Sequence, residues 1–382
     1  MELSQNFLKK ISSRIDWLLV LFIIPIVLAG LVTMKGFTPM ENAGSFFSKQ
    51  IIWVALGFTI FFIFSLIDFR FLQRTDVLVY LYLAVSGVLL LLFILGHVSH
   101  GAKSWFNFGF FAFQPVDVMK LVLVLILAKY FSRRHVEIRD TKHIFISALY
   151  ALIPFTLVLL QPDFGSAMII LLIWFGMILV SGISKMHLLY VFTAGILTFI
   201  LFWFFLFAPY QKARILNFIN PVANIHGSGY NAFQSTIAVG SGEVLGKGLG
   251  FGTQSRLKFL PQPQADFVFA AFAEEWGFIG CMIILILYGL VIWRILSTAT
   301  YGMHNFEILY GMGIAIFFMS HILINVGMNL GLMPVTGIPL PFMSYGGSHI
   351  LTEFVGLGIL MSMRKYSRSA HRDDMNHEFL GA

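Results

Sequence analysis

Asp266 closes a polar, glycine-rich run, GSGEVLGKGLGFGTQSRLKFLPQPQAD, and leads straight into the apolar stretch FVFAAFAEEWG. A carboxylate at such a place can take a proton from an attacking hydroxyl. Gly246, Gly248, Gly250 and Gly252 precede it, as do Lys247, Arg256 and Lys258. Glycine-rich backbone beside Lys and Arg suits a phosphate or diphosphate. An Asp directly ahead of an apolar helix is also a favoured N-cap, and the sequence leaves both readings open.

Further polar groups lie inside or beside apolar runs, where a charge costs several kcal/mol and marks function by default. Asp117 and Lys120 are three residues apart, so on a helix they share a face and can pair; a buried pair that fixes helix packing is the plainer reading. Asp163, in LLQPDFGSA, falls in a short turn where Pro162 and Gly165 break the helix; a cap or turn residue and a functional carboxylate are both open readings there. Glu274 and Glu275 are adjacent, so on one helix at most one of them faces a given site. The stretch GLMPVTGIPLPFMSYGGSH over 331–349 holds three prolines and four glycines. It cannot form regular helix, and irregular backbone at membrane depth must be buried in protein or line a wet cavity.

The elements that position these groups follow from composition. With 58% hydrophobic residues, 42 Phe, 11% charged residues and a mean hydropathy of +0.85, the chain cannot be a soluble globule. Apolar runs long enough to span a bilayer fall near 16–34, 50–67, 75–95, 115–132, 144–160, 166–182, 187–208, 269–293, 306–330 and 345–363. They are continuously apolar, without the alternation of a barrel strand. The expected fold is an all-α integral membrane protein of about ten helices.

Of the 25 Lys and Arg, Lys120 lies within a span; sixteen fall at one side of the ten-span arrangement and eight at the other. The excess puts both termini in the cytoplasm. Five of the opposite eight, Lys212, Arg214, Lys247, Arg256 and Lys258, lie in one long outer segment, 209–265, ahead of the eighth helix. The net charge of +7 is then topology and headgroup attraction, and no motif points to nucleic acid. The first span follows Lys9, Lys10 and Arg14 like a signal sequence, but its apolar run is too long for a cleaved one; it is expected to stay as an anchor. Cys281 is the single cysteine, so no disulfide forms within the chain. The organisation is one membrane domain, an outer loop over about 209–268, and a cytoplasmic tail over about 364–382 that reads as disordered and partly basic.

Five strings carry a resemblance. GAKSWFNFG with FQPVDVMKL (101–121), QPDFGSA (161–167), GYNAFQSTIAVGSGEVLGKGLGFGTQSRLKFLP (229–261), ADFVFAAFAEEWG (265–277) and NVGMNLGLMPVTGIPLPFMSYGGS (325–348) are similar, in this order, to the signature blocks of the SEDS family of peptidoglycan glycosyltransferases. The GKGLGFGTQ wording and short tails resemble its elongation branch, RodA, more than its division branch, FtsW. The resemblance implies a ten-span enzyme of the bacterial cytoplasmic membrane that polymerises lipid II at the outer face during cell elongation. It implies a catalytic Asp266, with Asp117, Lys120, Asp163, Gln234, Lys247 and Ser344 at substrate or cavity positions. Lys103, Arg256 and Lys258 would join Lys247 in stabilising the departing diphosphate, a task that a divalent cation, Mg or Mn, could share. It also implies a class B penicillin-binding protein, a transpeptidase, as partner within the elongation machinery.

Four departures qualify the match. Asp117 stands for the family's usual Glu, Ser104 for an Arg, and His349 for a second serine after SYGG; the block usually reading LPExHTD is LPQPQAD here. Lys103 could supply the charge lost at Ser104. Two rivals remain on the sequence: a flippase that moves the same lipid along Asp117, Lys120 and Asp163, and a silent scaffold for other wall proteins.

Overall fold

The structure, a computed structural model, describes residues 15–36, 43–95, 97–99, 102–107, 109, 112–133, 141–220, 227, 229–257, 259–302 and 304–380, with side chains at 43–45, 95, 97–99, 102–103 and 365–380 outside the description. Among the described residues, ten long helices run through the chain: α1 (Trp17–Gly36), α2 (Ala43–Leu66), α3 (Thr75–Leu95), α4 (Pro115–Ser132), α5 (Thr141–Leu160), α6 (Phe164–Val180), α7 (Lys185–Leu201), α11 (Val268–Thr300), α12 (Asn305–Asn329) and α13 (Gly347–Leu380). Three short helices, α8 (Pro209–Ile219), α9 (Tyr230–Ser241) and α10 (Thr253–Arg256), lie in the outer segment. Seven of the long helices are long and apolar enough to cross a membrane on length and hydropathy alone, and α6 is a shorter apolar helix. The chain is a multi-pass membrane protein.

Helices are forced here because a backbone in hydrocarbon has no water to bond and must satisfy itself within the segment. The helices then differ in what they bury. In α4 all but a few residues are buried, and α12 is similar; these two form the centre, with α6, α13 and α11 around them. In α7 no residue is buried, so that helix faces lipid. At the cytoplasmic end, buried Asp16 ties three helices together: Arg294 Nε lies 2.7 Å and Arg364 Nη1 2.8 Å from its Oδ2.

Two features depart from expectation. The outer stretch after α3 is a small antiparallel sheet, β1 (His97–Ser99), β2 (Ala102–Asn107) and β3 (Ala112–Phe113), in the order β1-β2-β3. Its alternating Trp105 and Phe106 neighbourhood is too short to announce strands within an apolar chain. The tail, expected to be disordered, continues α13 as helix to Leu380; after Arg364 it has no Gly or Pro to stop it until Gly381.

Candidate active site

Asp266 sits in a turn, half-buried, one residue before the Phe267 cap position of α11. The side-chain cap that the sequence allowed is therefore not its place, since the cap falls on Phe267, which has none. Its backbone is held from two directions. Asn325 Nδ2 and Asn329 Nδ2, one turn apart on α12, donate to its carbonyl at 2.9 and 3.2 Å. From the irregular segment 331–346, the Ser344 hydroxyl donates to the Ala265 carbonyl at 2.7 Å, and the Tyr345 N–H donates to the Gln264 carbonyl at 2.7 Å. Ser344 in turn accepts from the Leu340 N–H at 2.8 Å, and Gln50 on α2 donates to its carbonyl at 2.9 Å. That segment buries Ile338, Leu340, Phe342 and Met343, as irregular backbone at membrane depth must be.

Gly337 stands over the carboxylate. Its φ is +76°, and a Cβ built there would lie 3.4 Å from Asp266 Oδ2. Glycine allows that left-handed backbone, and its missing side chain keeps this position from crowding the carboxylate.

The glycine-rich loop behaves differently from its sequence reading. Helix α11 is broken at Gly277 (φ 66°, ψ −166°), and residues 243–248 lie along the break. The Lys247 and Gly248 N–H groups donate to the carbonyls of Glu274 and Glu275 at 3.0 Å each, while the Phe278 and Ile279 N–H groups donate back to Glu243 and Val244. Gly246 (φ 81°) and Gly277 pack backbone on backbone with no room for a Cβ. The fully buried Glu274 carboxylate accepts from Lys247 Nζ at 2.8 Å, Thr253 Oγ1 at 3.0 Å, the Gln254 N–H at 3.0 Å and Ser255 Oγ at 3.2 Å. Glu275 Oε1 accepts from the Gly250 N–H at 3.0 Å. The donors that would have cradled a phosphate are thus turned onto α11, and the loop is a brace. Both glutamates serve it from adjacent helical positions because they meet different parts of the loop, Glu274 at Lys247 and 253–255 and Glu275 at Gly250.

The remaining expected residues divide. Asp117 and Lys120 are paired at 3.0 Å with both side chains 1% exposed. Lys120 Nζ also lies 3.4 Å from His321 Nε2. Asp163 is the N-cap of α6, accepting from the Ser166 N–H at 3.0 Å, and its other oxygen accepts from Gln114 Nε2 at 3.2 Å. Gln234 is half-buried on α9, beside Ser235, whose hydroxyl donates to the Asn329 carbonyl at 2.9 Å. Arg256 is exposed at the end of α10. Lys258 and the Lys103 side chain lie outside the described residues. Ser104, the departure from the family's arginine, is buried.

Sequence reasoning missed Asn325, Asn329, His321 and Glu353. The Asn pair carried a signal, two amides at i and i+4 in an apolar run ending at a proline-rich segment. Among the described residues no three His, Cys, Asp or Glu side chains converge to hold a metal ion. The donor set therefore does not make a protein cage for a divalent cation, and no step below passes through one.

Fold and site together define a polytopic membrane protein in which the backbone carrying one acidic residue, Asp266, is held between an irregular segment and two asparagines. The family described as cell cycle protein, FtsW/RodA/SpoVE, matches residues 12–369, and the chain belongs to it. It is 33% identical to stage V sporulation protein E of Bacillus subtilis over 92% of this chain and 98% of that one. It is 36% identical to peptidoglycan glycosyltransferase MrdB of Escherichia coli, covering 76% of this chain and 78% of that one. Among solved structures, a chain of a peptidoglycan synthase complex that coordinates polymerisation and crosslinking superposes with a TM-score of 0.79 at 30% identity, over 92% of this chain and 98% of that one. The rod shape determining protein RodA of Thermus thermophilus gives 0.68 at 29% identity, over 92% and 96%.

Proposed function

We infer that this chain is a peptidoglycan glycosyltransferase of the bacterial cytoplasmic membrane, polymerising lipid II at the outer face during cell elongation. The observation that carries the site assignment is the clamp on Asp266: four hydrogen bonds fix backbone at residues 264–266, while the residue as a whole stays only partly buried, next to Gly337. A general base needs that combination of fixed position and access.

The step balances as follows. The 4-hydroxyl of the acceptor sugar attacks the anomeric carbon of the donor, Asp266 takes the hydroxyl proton, and the bond from that carbon to the undecaprenyl diphosphate breaks with its electrons going to the diphosphate. Attack opposite the leaving group inverts the centre, so an α-linked donor gives a β-linked strand. Arg256, Lys103 and Lys258 are assigned to the charge that develops on the diphosphate. Lys247 acts through the brace, its ammonium held by Glu274 and Thr253. Asp117, Lys120 and Asp163 support the walls.

The same placement weighs against a flippase. The Asp117–Lys120 pair is sealed at 1% exposure and Asp163 is engaged as a cap, so they do not line an open polar path. The relative in a complex that couples polymerisation to crosslinking supports a transpeptidase partner of the class B penicillin-binding type. The test reads turnover and sidedness together. In liposomes with labelled lipid II and that partner, lengthened glycan without net movement of the label is expected; movement without lengthening would overturn the reading, and so would neither.

A further inference from the structure

A buried polar cluster lies at the middle of the fold with no part in the step above. It is built by Asp117 and Lys120 from α4, His321 from α12, and His349 and Glu353 from α13. His349 Nε2 lies 2.8 Å from Glu353 Oε1, one helical turn away, and His349 Nδ1 lies 3.6 Å from Asp117 Oδ1. The His321 and His349 rings are 4.9 Å apart. All five side chains are at most 3% exposed. A single ionised group so placed is costly, whereas a matched set is tolerated.

One oxygen of this cluster leaves it. Glu353 Oε2 accepts from the Phe342 N–H at 3.0 Å. Phe342 is left-handed, with φ +59°, a conformation that for a bulky residue persists only when its surroundings impose it. The neighbouring Pro341 carbonyl is held from the other side by the Tyr288 hydroxyl at 2.6 Å. The turn at 341–342 is thus pinned from α11 and α13, and two residues later the chain delivers Ser344 and Tyr345 to Ala265 and Gln264. A continuous path of bonds runs from the buried cluster to the backbone that carries Asp266.

We propose that Glu353, partnered by His349, is a positioning residue for glycosyl transfer: it imposes the turn at Phe342 and, through Ser344 and Tyr345, sets where Asp266 stands. The proposal rests on Asp266 as base. It differs from a merely structural role in predicting that a change at Glu353 is felt at residues 264–266 specifically, and in kcat rather than KM.

The test uses the full chain with its transpeptidase partner in lipid nanodiscs. Glu353→Ala is expected to speed amide exchange at Phe342 and also at Tyr345, and to lower kcat for lipid II about tenfold to a hundredfold with KM within about twofold. Glu353→Gln keeps an acceptor for Phe342 and should recover most of kcat. Adding Ser344→Ala to Glu353→Ala should lower kcat little further, because both act along one path. Native kcat in a folded Glu353→Ala protein, exchange faster at Phe342 alone, or fully multiplicative effects with Ser344→Ala would each overturn the proposal. If Glu353→Ala does not fold, His349→Gln serves: it removes the imidazole beside Glu353 and should speed exchange at both amides, and unchanged exchange would overturn the idea. Exchange reports the positioning whether or not Asp266 is the base, so a failure of that assignment, seen in an active Asp266→Asn chain, is distinguishable.

Discussion

The Ser344 hydroxyl donates to the Ala265 carbonyl at 2.7 Å while accepting from the Leu340 N–H at 2.8 Å. One side chain therefore fastens the irregular segment to the residue before Asp266. Ser344→Ala loses both bonds and leaves a buried carbonyl and a buried N–H without this partner. A loss of about 1–3 kcal/mol in stability is expected, with kcat reduced about tenfold or more. Thermal unfolding of the nanodisc protein and a polymerisation time course measure the two.

Gly337→Val puts a β-branched residue at φ +76°, beside the Asp266 carboxylate. The backbone strain should cost about 1–2 kcal/mol, and the added methyl groups should crowd the carboxylate. Polymerisation should fall much further than melting temperature; equal loss of both would show that the glycine serves only the turn.

The brace predicts coupling. Lys247 and Glu274 are 2.8 Å apart, with Glu274 fully buried. Glu274→Ala strands Lys247 and several loop donors, and about 3–5 kcal/mol of stability should be lost. Lys247→Met alone should cost less, because Thr253, Gln254 and Ser255 still bond the carboxylate. The double variant should be close to Glu274→Ala by itself, and additive melting shifts would contradict the pairing.

How much of this was legible in the sequence depends on the range of the interaction. The spans were, because a bilayer imposes length and apolarity locally: the expected runs at 75–95 and 115–132 coincide with α3 and α4. The Asp117–Lys120 contact was too, since three residues on a helix bring side chains together whatever the rest of the chain does. The Glu353 bond to Phe342 and the hold of Asn325 and Asn329 on Asp266 were not, because they join segments whose approach only packing decides. The glycine-rich loop misled for the same reason. Its composition suits an anion, but the break at Gly277 exposes helix carbonyls that take its N–H groups first.

The buried pair gives a further prediction. Asp117→Asn leaves Lys120 without its closest carboxylate and should destabilise the chain by about 3–5 kcal/mol. Asp117→Asn combined with Lys120→Met removes both charges and should regain much of that loss. Detergent melting curves of the native chain, Asp117→Asn, Lys120→Met and the double variant read it directly; a double variant worse than the sum of the singles would contradict a structural pair.

The central claim is that Asp266 removes the proton from the attacking hydroxyl, and Asp266→Asn tests it with almost no change of shape. Purified native and Asp266→Asn chains, each with the partner transpeptidase, would be given fluorescent lipid II and the glycan products separated by length. The account predicts ladders from the native chain and none from Asp266→Asn, with the same melting temperature for both. Ladders of similar intensity from a folded Asp266→Asn chain would contradict it.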